Sequence, residues 1–293
     1  MQYQLAGHIR INTCLSLSKR GVYTDVLRLD ELDPVISGNK WFKLRYYLAA
    51  AKAEGATEII TFGGPYSNHV AATAFACKLA GLLAHACIRA YQPFTTPTLD
   101  AAESLGMQFS FHEPNNYEAL KQSYPIQPHQ YLIPEGGYGR LGVKGAATIW
   151  QYIPQNTYTH IICMVGSGTT LAGLIQGAPD QTQVIGISSM KNNMALYEEI
   201  TAQLQANLHH RIHLIHDYHF GGFAKYNHTL LDFMRQFWET EKIPSDIVYT
   251  AKLFYAVNDL IQKDFFPPES KLLLIHTGGL QGNASLPEGT LPF

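Results

Sequence analysis

The sequence predicts an α/β fold in which mostly parallel sheets are covered by helices. Short apolar runs alternate along the chain with longer segments of helical periodicity, and this alternation is typical of strands joined by crossover helices. The chain has 293 residues, of which 46% are hydrophobic, so it can fill the core of one large domain or of two modest ones. The glycine- and proline-rich segment 134–139 predicts a crossing between two domains that share a cleft.

Individual elements follow from the same periodicity. Buried strands are predicted at 58–62, 82–88, 107–112, 131–134, 160–165, 183–188 and 271–276. Helices are predicted at about 41–54, 68–80, 98–105, 143–152, 169–176, 194–206, 227–240 and 251–263. The first helix has the clearest pattern, because apolar residues recur at helical spacing from Trp41 to Ala51 and Gly55 follows its end.

Composition excludes several classes of function. The 21 basic and 23 acidic residues nearly balance and form no basic run, so neither nucleic acid nor a membrane is expected as a partner. The four cysteines include no CxxC pair, which predicts reduced, buried thiols rather than a disulfide framework or a zinc site. No signal-like start or long apolar window occurs, so we expect a cytoplasmic protein. The balanced charge leaves small molecules or copies of itself as the expected partners.

The segment 209–219 contains five histidines and could suggest a metal site. Metal ligands must converge on one point and need supporting hydrogen bonds, and this spacing shows neither property. Part of the segment alternates between apolar and polar residues, which favours a short strand with outward histidines. No metal is therefore expected.

Lys40 ends the loop 37–40, immediately before the first predicted helix. A lysine at a junction that faces a cleft can lose hydration, and a desolvated amine captures carbonyl groups. Most lysines are instead solvated surface charges, so position alone does not assign this role. Lys40 is a candidate nucleophile at this stage.

Two further loops each join a buried strand to a helix. The loop 63–69 offers Ser67 or Asn68 as a helix cap, and the open N–H groups of the first turn suit a carboxylate or phosphate; a plain capped helix is the alternative. The loop 166–170, Gly-Ser-Gly-Thr-Thr, suits a phosphate monoester. It is neither a Walker A loop nor a GxGxxG motif, which argues against a nucleotide-binding dehydrogenase.

Near the C-terminus, Thr250 and Thr277 are each placed where a hydroxyl could face a heterocycle. Thr250 begins a predicted helix and Thr277 follows the last buried strand. A helix cap and a turn are the structural alternatives for these two residues.

Five ordered motifs are SGNKWFKL, TFGGPYSNHVAATAFACKLAG, GSGTTLAGL, VYTAK and IHTGG. With them the chain resembles, from about residue 20 onward, the family of 1-aminocyclopropane-1-carboxylate (ACC) deaminases and D-cysteine desulfhydrases. These are pyridoxal 5'-phosphate (PLP) enzymes of fold type II, like the tryptophan synthase β subunit. The resemblance implies a homodimer whose small domain, 43–136, is inserted in a large PLP-binding domain, 1–42 and 137–293.

The resemblance also implies roles toward the cofactor. Lys40 carries PLP as a Schiff base, and Asn68 bonds the 3'-oxygen of its ring. The cofactor phosphate is held by Gly166, Ser167, Gly168, Thr169 and Thr170.

Toward the substrate, the resemblance places Ser67 and His69 at the carboxylate, while Tyr218 and Tyr249 face the amino acid. Either Lys40 or Ser67 removes the proton from Cα. The chain departs from the family in its shorter length and at 221–224, Gly-Gly-Phe-Ala, where a glycine-rich stretch usually carries a tyrosine.

Thr250 bears on the choice of reaction. The resemblance implies a residue here that bonds the pyridine nitrogen, a glutamate in ACC deaminases and a threonine in D-cysteine desulfhydrases. A carboxylate keeps that nitrogen protonated and makes PLP a deep electron sink, whereas a neutral hydroxyl gives a shallower one. Thr250 thus favours elimination from D-cysteine, giving pyruvate, ammonia and sulfide, over opening of ACC to 2-oxobutyrate and ammonia. A catalytically silent PLP-binding protein is a further alternative, but Lys40, Ser67 and Tyr249 are all retained.

Overall fold

The computed structural model describes residues 7–33 and 36–293. Its strands are β1 Ile11–Thr13, β2 Tyr23–Arg28, β3 Glu58–Gly63, β4 Leu83–Arg89, β5 Met107–His112, β6 Gln130–Leu132, β7 His160–Val165, β8 Gln183–Ser188, β9 His213–Ile215 and β10 Lys271–His276. Its α-helices are α1 Asn39–Ala53, α2 Asn68–Ala80, α3 Pro97–Ser104, α4 Pro114–Ser123, α5 Arg140–Ala147, α6 Thr169–Gly177, α7 Leu196–Thr201, α8 His228–Glu241 and α9 Thr250–Gln262.

The strands of the described residues form two sheets. One has the order β5-β4-β3-β6 and is parallel throughout. The other has the order β1-β2-β10-β7-β8-β9 and is parallel except where β1 meets β2. The first sheet lies within 58–132, and the second takes strands from both sides of that stretch of sequence. The predicted α/β class is confirmed, while the domain boundaries at 43 and 136 stay a prediction.

Every predicted strand and helix has an observed counterpart. The ends of helix 68–80 and of strands 107–112, 160–165, 183–188 and 271–276 agree with the prediction, and the ends of the others are shifted. The predicted helix 143–152 is α5 followed by the 3₁₀ segment Thr148–Tyr152, and α7 is shorter than predicted. The histidine segment contains the short strand β9, and β1, β2 and α4 were not predicted.

Strand β2 was missed by a search for apolar runs because its Asp25 and Arg28 are polar. In the structure both side chains have partners: Asp25 accepts a hydrogen bond from Tyr158 at 2.8 Å, and Arg28 pairs with Asp30 at 2.6 Å.

Three predicted loops lie at the carboxyl ends of parallel strands. The loop 63–69 follows β3, the loop 166–170 follows β7, and the turn 276–279 follows β10, so each leaves the carboxyl end of a parallel strand. Ligands of open α/β sheets bind at such ends.

Helix α1 packs closely against α5. A Cβ on Gly145 of α5 would lie 1.8 Å from the carbonyl oxygen of Phe42 on α1, so only glycine fits at that position.

Three further observations concern the described residues alone. No group of three or more His, Cys, Asp or Glu side chains is arranged to hold a metal ion there. Within the same ranges, none of the helices combines the length and apolarity that crossing a bilayer requires. All four cysteines, Cys14, Cys77, Cys87 and Cys163, are buried free thiols, as predicted.

Candidate active site

The turn before Lys40 is fixed by its backbone. Gly38 has φ 76° and ψ −153°, a conformation open almost only to glycine. A Cβ on Gly38 would lie 1.8 Å from the carbonyl oxygen of Thr277. The N–H of Asn39 donates to that same oxygen at 3.1 Å, and the N–H of Gly38 donates to Leu29 at 2.8 Å. The first residues of α1 are therefore held against the turn that follows β10.

Lys40 itself is partly buried. Its Nζ donates to Asn39 Oδ1 at 2.9 Å and lies 5.9 Å from the centre of the Tyr249 ring. Burial lowers the pKa of the Lys40 amine to about 8, and the Asp246 carboxylate opposes this shift. Because the neutral amine is the form that attacks a carbonyl, the lowered pKa suits the predicted role.

Asn39 links Lys40 to the glycine loop. Besides accepting from Lys40, its amide Nδ2 donates to Thr170 Oγ1 at 2.7 Å, and the Asn39 side chain is buried. Asn39 was not predicted as a site residue, although it adjoins Lys40 in the sequence. The contact with Thr170 brings two motifs together that lie far apart along the chain.

The glycine loop turns sharply before α6. Gly168 has φ 76°, and a Cβ there would lie 2.4 Å from Ile200 Cγ1, so a larger residue does not fit. The hydroxyls of Ser167 and Thr169 lie 3.2 Å apart. The N–H groups at the start of α6 make this loop suitable for a phosphate.

Gln203 supports the loop from the side and was not predicted. Its buried amide accepts from Thr169 Oγ1 at 2.8 Å and from the N–H of Gly139 at 3.0 Å. Its Nε2 donates to the carbonyl oxygens of Ser167 at 3.2 Å and Glu199 at 2.9 Å. Because the only proton of the Thr169 hydroxyl goes to Gln203, this hydroxyl stabilises the conformation of the loop and does not donate to a ligand.

Lys43 lies one helical turn after Lys40 and is also buried, with 4% of its surface exposed. Its Nζ donates to the carbonyl oxygen of Gly136 at 3.1 Å. Gly136 itself lies close to the glycine loop, because a Cβ on Gly136 would lie 3.6 Å from Ser167 Oγ. Lys43, which bonds Gly136, therefore lies near this loop as well. Burial and the neighbouring Lys40 charge lower the pKa of Lys43 well below its ordinary value. Sequence reasoning missed Lys43, although its spacing from Lys40 puts both on one face of α1.

The loop after β3 supplies two of the predicted polar groups. Ser67 Oγ caps α2 by accepting from the N–H of Val70 at 3.3 Å, which leaves its own proton free to donate. Asn68 Nδ2 donates to the Gly279 carbonyl at 3.3 Å, and among the described residues nothing bonds its buried Oδ1. One N–H of Asn68 also stays available, as a bond to a ring oxygen requires.

His69 is buried and faces the sheet. Its Nε2 lies 2.8 Å from Thr61 Oγ1, and Thr61 donates its only proton to the Ile133 carbonyl. Nε2 must therefore carry the imidazole proton, and Nδ1, which lacks a partner in the described part of the chain, is an acceptor. Burial, together with the Lys40 and Lys43 charges, lowers the pKa of His69 to about 3. The predicted contact with a carboxylate would need a proton on Nδ1, which this arrangement does not favour.

Of the two predicted tyrosines, only Tyr249 lies beside Lys40. A Cβ on Gly166 would lie 3.3 Å from the Tyr249 hydroxyl, so this residue also adjoins the glycine loop. Burial raises the pKa of Tyr249 and keeps it a neutral phenol. Tyr218 instead donates to Asp259 at 2.7 Å, almost three turns or about 15 Å further along α9 than Tyr249. The structure thus does not bring the Tyr218 hydroxyl to Lys40.

The groups around Lys40 fit a phosphorylated aromatic aldehyde. Lys40 is an amine with a lowered pKa, and the loop 166–170 with Lys43 offers hydrogen-bond donors for a phosphate. Asn68 keeps a free N–H for a ring oxygen. These groups belong to α1, α2 and α6, so both sheets contribute to the site.

Comparisons with known proteins identify the family of the chain. The family model "Pyridoxal-phosphate dependent enzyme" matches residues 13–278. A putative ACC deaminase of Pyrococcus horikoshii is 30% identical over 288 residues, covering 90% of this chain and 87% of the relative. A D-cysteine desulfhydrase of Salmonella newport is 28% identical over 284 residues, covering 86% of each.

A solved structure, the crystal structure of an ACC deaminase homologue, superposes with a TM-score of 0.82 at 27% identity. The match covers 95% of this chain and 91% of that one. The fold is that of the fold type II PLP enzymes. The chain belongs to the pyridoxal-phosphate dependent enzyme family, in the group of ACC deaminases and D-cysteine desulfhydrases, and its cofactor is PLP.

Proposed function

We propose that this protein catalyses α,β-elimination from a small D-amino acid, with D-cysteine giving pyruvate, ammonia and sulfide. The observation that carries the proposal is Thr250, a neutral side chain at the position predicted to meet the ring nitrogen of PLP. Its hydroxyl is buried one residue beyond Tyr249, whose ring lies 5.9 Å from Lys40 Nζ. A neutral partner for the ring suits the departure of a good leaving group better than the breaking of a carbon–carbon bond.

The alternative is opening of ACC to 2-oxobutyrate and ammonia. It is favoured by the names of two similar proteins, the putative ACC deaminase of Pyrococcus horikoshii and the crystallised ACC deaminase homologue. Both reactions use the same nucleophilic lysine and the same phosphate loop. Residue 250 is what separates them in this proposal.

Each part of the site then has a task. PLP, when bound, withdraws electrons from Cα of the amino acid. The loop 166–170 and Lys43 hold its phosphate, and the free N–H of Asn68 orients its ring. The free proton of Ser67 donates to the substrate carboxylate, because the Ser67 oxygen already accepts from α2.

Lys40 is the better base at Cα. A base must be deprotonated at working pH, and the pKa of about 8 leaves a usable fraction of neutral Lys40 amine. A serine hydroxyl gains basicity only from a neighbouring base, and Ser67 Oγ bonds a backbone N–H instead. The neutral Tyr249 phenol, whose ring lies beside Lys40, can donate a hydrogen bond to the substrate.

Replacing Lys43 with methionine is expected to weaken PLP binding by about 10- to 100-fold, since a charge-assisted hydrogen bond contributes about 1.5–3 kcal/mol. Equilibrium titration of the apoprotein, followed by absorbance, measures the change. The control is Lys78→Met, which removes the same charge from an exposed position on α2. Equal affinity in both variants would show that Lys43 does not hold the phosphate.

The reaction itself is tested by 2-oxoacid release from D-cysteine, L-cysteine and ACC, measured side by side on the PLP-loaded protein. Pyruvate and sulfide from D-cysteine are expected. Thr250→Glu should shift the rate ratio toward ACC by about tenfold, or about 1.4 kcal/mol of barrier. Thr250→Gln is the matched control, because it has the size of glutamate without the charge.

Three outcomes contradict the proposal. Release of 2-oxobutyrate from ACC by the parent protein would support the alternative reaction. An unchanged ratio in Thr250→Glu would remove the electronic argument. A protein that binds PLP at Lys40 but turns over none of the three substrates would be a silent PLP-binding protein or an enzyme for another amino acid.

We also propose, on the family resemblance alone, that the protein is a homodimer, and we keep the cytoplasmic location expected from the sequence as a prediction. Neither property enters the tasks assigned to Lys40, Ser67 or Thr250. Both stay predictions.

A further inference from the structure

Helix α9 contains a buried lysine that has no task in the proposed function. Lys252 has 0% of its surface exposed, although lysines are almost never fully buried unless they are paired. Its Nζ donates to the carbonyl oxygens of His219 at 2.9 Å and Gly222 at 2.8 Å. Burial lowers the pKa of Lys252 to about 8, and the Asp246 carboxylate opposes this shift. A buried amine is costly unless it is hydrogen-bonded, so these two bonds tie Lys252 firmly to the backbone that accepts them.

The accepting residues belong to the turn 219–224, called the anchored turn below. Its backbone needs support, because Phe220 with φ 52° and Ala224 with φ 54° lie in the left-handed region that residues other than glycine rarely adopt. Between them lie Gly221 and Gly222, with φ 97° and 129°. Such conformations persist only where the surrounding structure holds them. The two bonds from Lys252 are part of that hold.

The anchored turn lies along one face of α9. Phe220 packs edge-on against Tyr255 with ring centres 4.9 Å apart, and Phe223 packs edge-on against Tyr249 with ring centres 6.0 Å apart. Tyr249, Lys252 and Tyr255 are spaced three residues apart, which places them on one face of the helix and its first turn. The turn therefore contacts α9 through all three side chains, and Tyr249 is the one that lies in the active site.

We propose that Lys252 is a positioning residue of the active site: by bonding the backbone of the anchored turn, it holds Phe223 against the Tyr249 ring and so restricts the direction of the Tyr249 hydroxyl. Phe223 needs this hold, because 49% of its surface is exposed and its own packing restrains it weakly. Orientation matters at Tyr249, whose ring lies 5.9 Å from Lys40 Nζ. The inference rests on the proposed function only in that Tyr249 donates a hydrogen bond to the substrate.

Lys252→Met removes the two bonds and keeps the apolar stem in place. Each carbonyl oxygen still accepts one backbone bond. His219 accepts from the N–H of Gly222 at 3.0 Å, and Gly222 accepts from the N–H of Lys225 at 3.1 Å. The fold and PLP binding are therefore expected to survive. Amide hydrogen exchange of the anchored turn, measured by mass spectrometry, should become at least about tenfold faster than in the parent, because two hydrogen bonds that oppose its opening are lost.

The effect on Tyr249 is measured separately. N-acetylimidazole acetylates accessible tyrosine hydroxyls, and peptide mass spectrometry gives the rate at each tyrosine. In Lys252→Met the rate at Tyr249 should rise about fivefold or more, since the ring is freer to move. With D-cysteine, KM should rise about tenfold while kcat changes by less than about twofold, because a hydrogen bond made equally to substrate and transition state affects binding alone. A lysine that only stabilised the fold would change neither the Tyr249 rate nor KM.

Phe223→Ala tests whether Lys252 acts through Phe223. This variant should raise KM and the Tyr249 acetylation rate as Lys252→Met does, and the double variant should be no worse than Phe223→Ala alone. Lys271→Met is the matched control, because it removes a lysine from an exposed position at the start of β10. It should match the parent in exchange, acetylation and KM.

Any of four results would overturn the inference. Three concern Lys252→Met: exchange of the anchored turn at the parent rate, an unchanged acetylation rate at Tyr249, or an unchanged KM. The fourth is additivity of the two substitutions in the double variant. Exchange and acetylation need no substrate, so they decide the inference even if the parent does not turn over D-cysteine. That last result would contradict the proposed function alone.

Discussion

Replacing Lys40 with alanine is expected to abolish covalent attachment of PLP and to lower turnover at least about 1000-fold, because no other group takes over a missing nucleophile at its position. The amine combines two properties that the reaction needs, a pKa lowered to about 8 and a place beside the Tyr249 ring. Borohydride reduction of the loaded parent, followed by peptide mass spectrometry, should find the cofactor on Lys40. The variant should show no such adduct.

Lys43 is the main alternative to Lys40 as the lysine that attaches PLP. It is also a buried lysine with a lowered pKa, one turn away on the same helix. Lys43→Met should still form the adduct on Lys40 when PLP is supplied in excess. An adduct on Lys43 in the parent, or normal turnover in Lys40→Ala, would refute the assignment of Lys40.

Gly38→Ala is expected to lower the free energy of unfolding by at least about 3 kcal/mol. A side chain at φ 76° and ψ −153° costs of order 1–3 kcal/mol, and the new Cβ would also lie 1.8 Å from Thr277 O. Relief of that overlap must separate the start of α1 from the turn after β10. Because Lys40 follows two residues later, PLP content should fall as well. Urea unfolding of the apoprotein measures the stability.

Gly55→Ala is the matched control. Gly55 also has φ 76°, but no atom lies within 4 Å of the Cβ it would gain. That variant should lose only about 1 kcal/mol and keep its PLP. If both variants lost the same stability, the contact between Gly38 and Thr277 would not matter for the fold.

Much of the scaffold could be predicted from sequence because its strands are buried on both faces. Runs such as 161–165 and 272–275 are continuously apolar, and each of their strands is followed by a glycine-containing loop that reaches the site. Such patterns are local, and so are the loops and helix starts that carried the predicted site. Strand β2 was missed because partners distant in sequence, such as Tyr158, satisfy its polar residues.

The unpredicted site residues share the same cause. Asn39, Lys43, Gln203 and Asp246 act through hydrogen bonds whose geometry appears only when the chain has folded. Asp246 could have been suspected as a helix cap, since an aspartate shortly before a predicted helix is a common start signal. The hydrogen bond that the Thr250 hydroxyl donates to Asp246 Oδ2 at 2.7 Å depends on side-chain orientation, which no sequence pattern contains. Conversely, the predicted place of Tyr218 did not anticipate its bond to Asp259.

The hydrogen bonds of the Gln203 amide connect two segments of the chain. Through one side chain it ties the phosphate loop to Gly139, in the segment 134–139 that follows the four-stranded sheet and is predicted to cross between domains. If that sheet swings on this segment to open or close the cleft, the motion must either stretch the bonds of Gln203 or be transmitted to the phosphate anchor. The phosphate anchor of PLP would then be coupled to any movement between the two sheets.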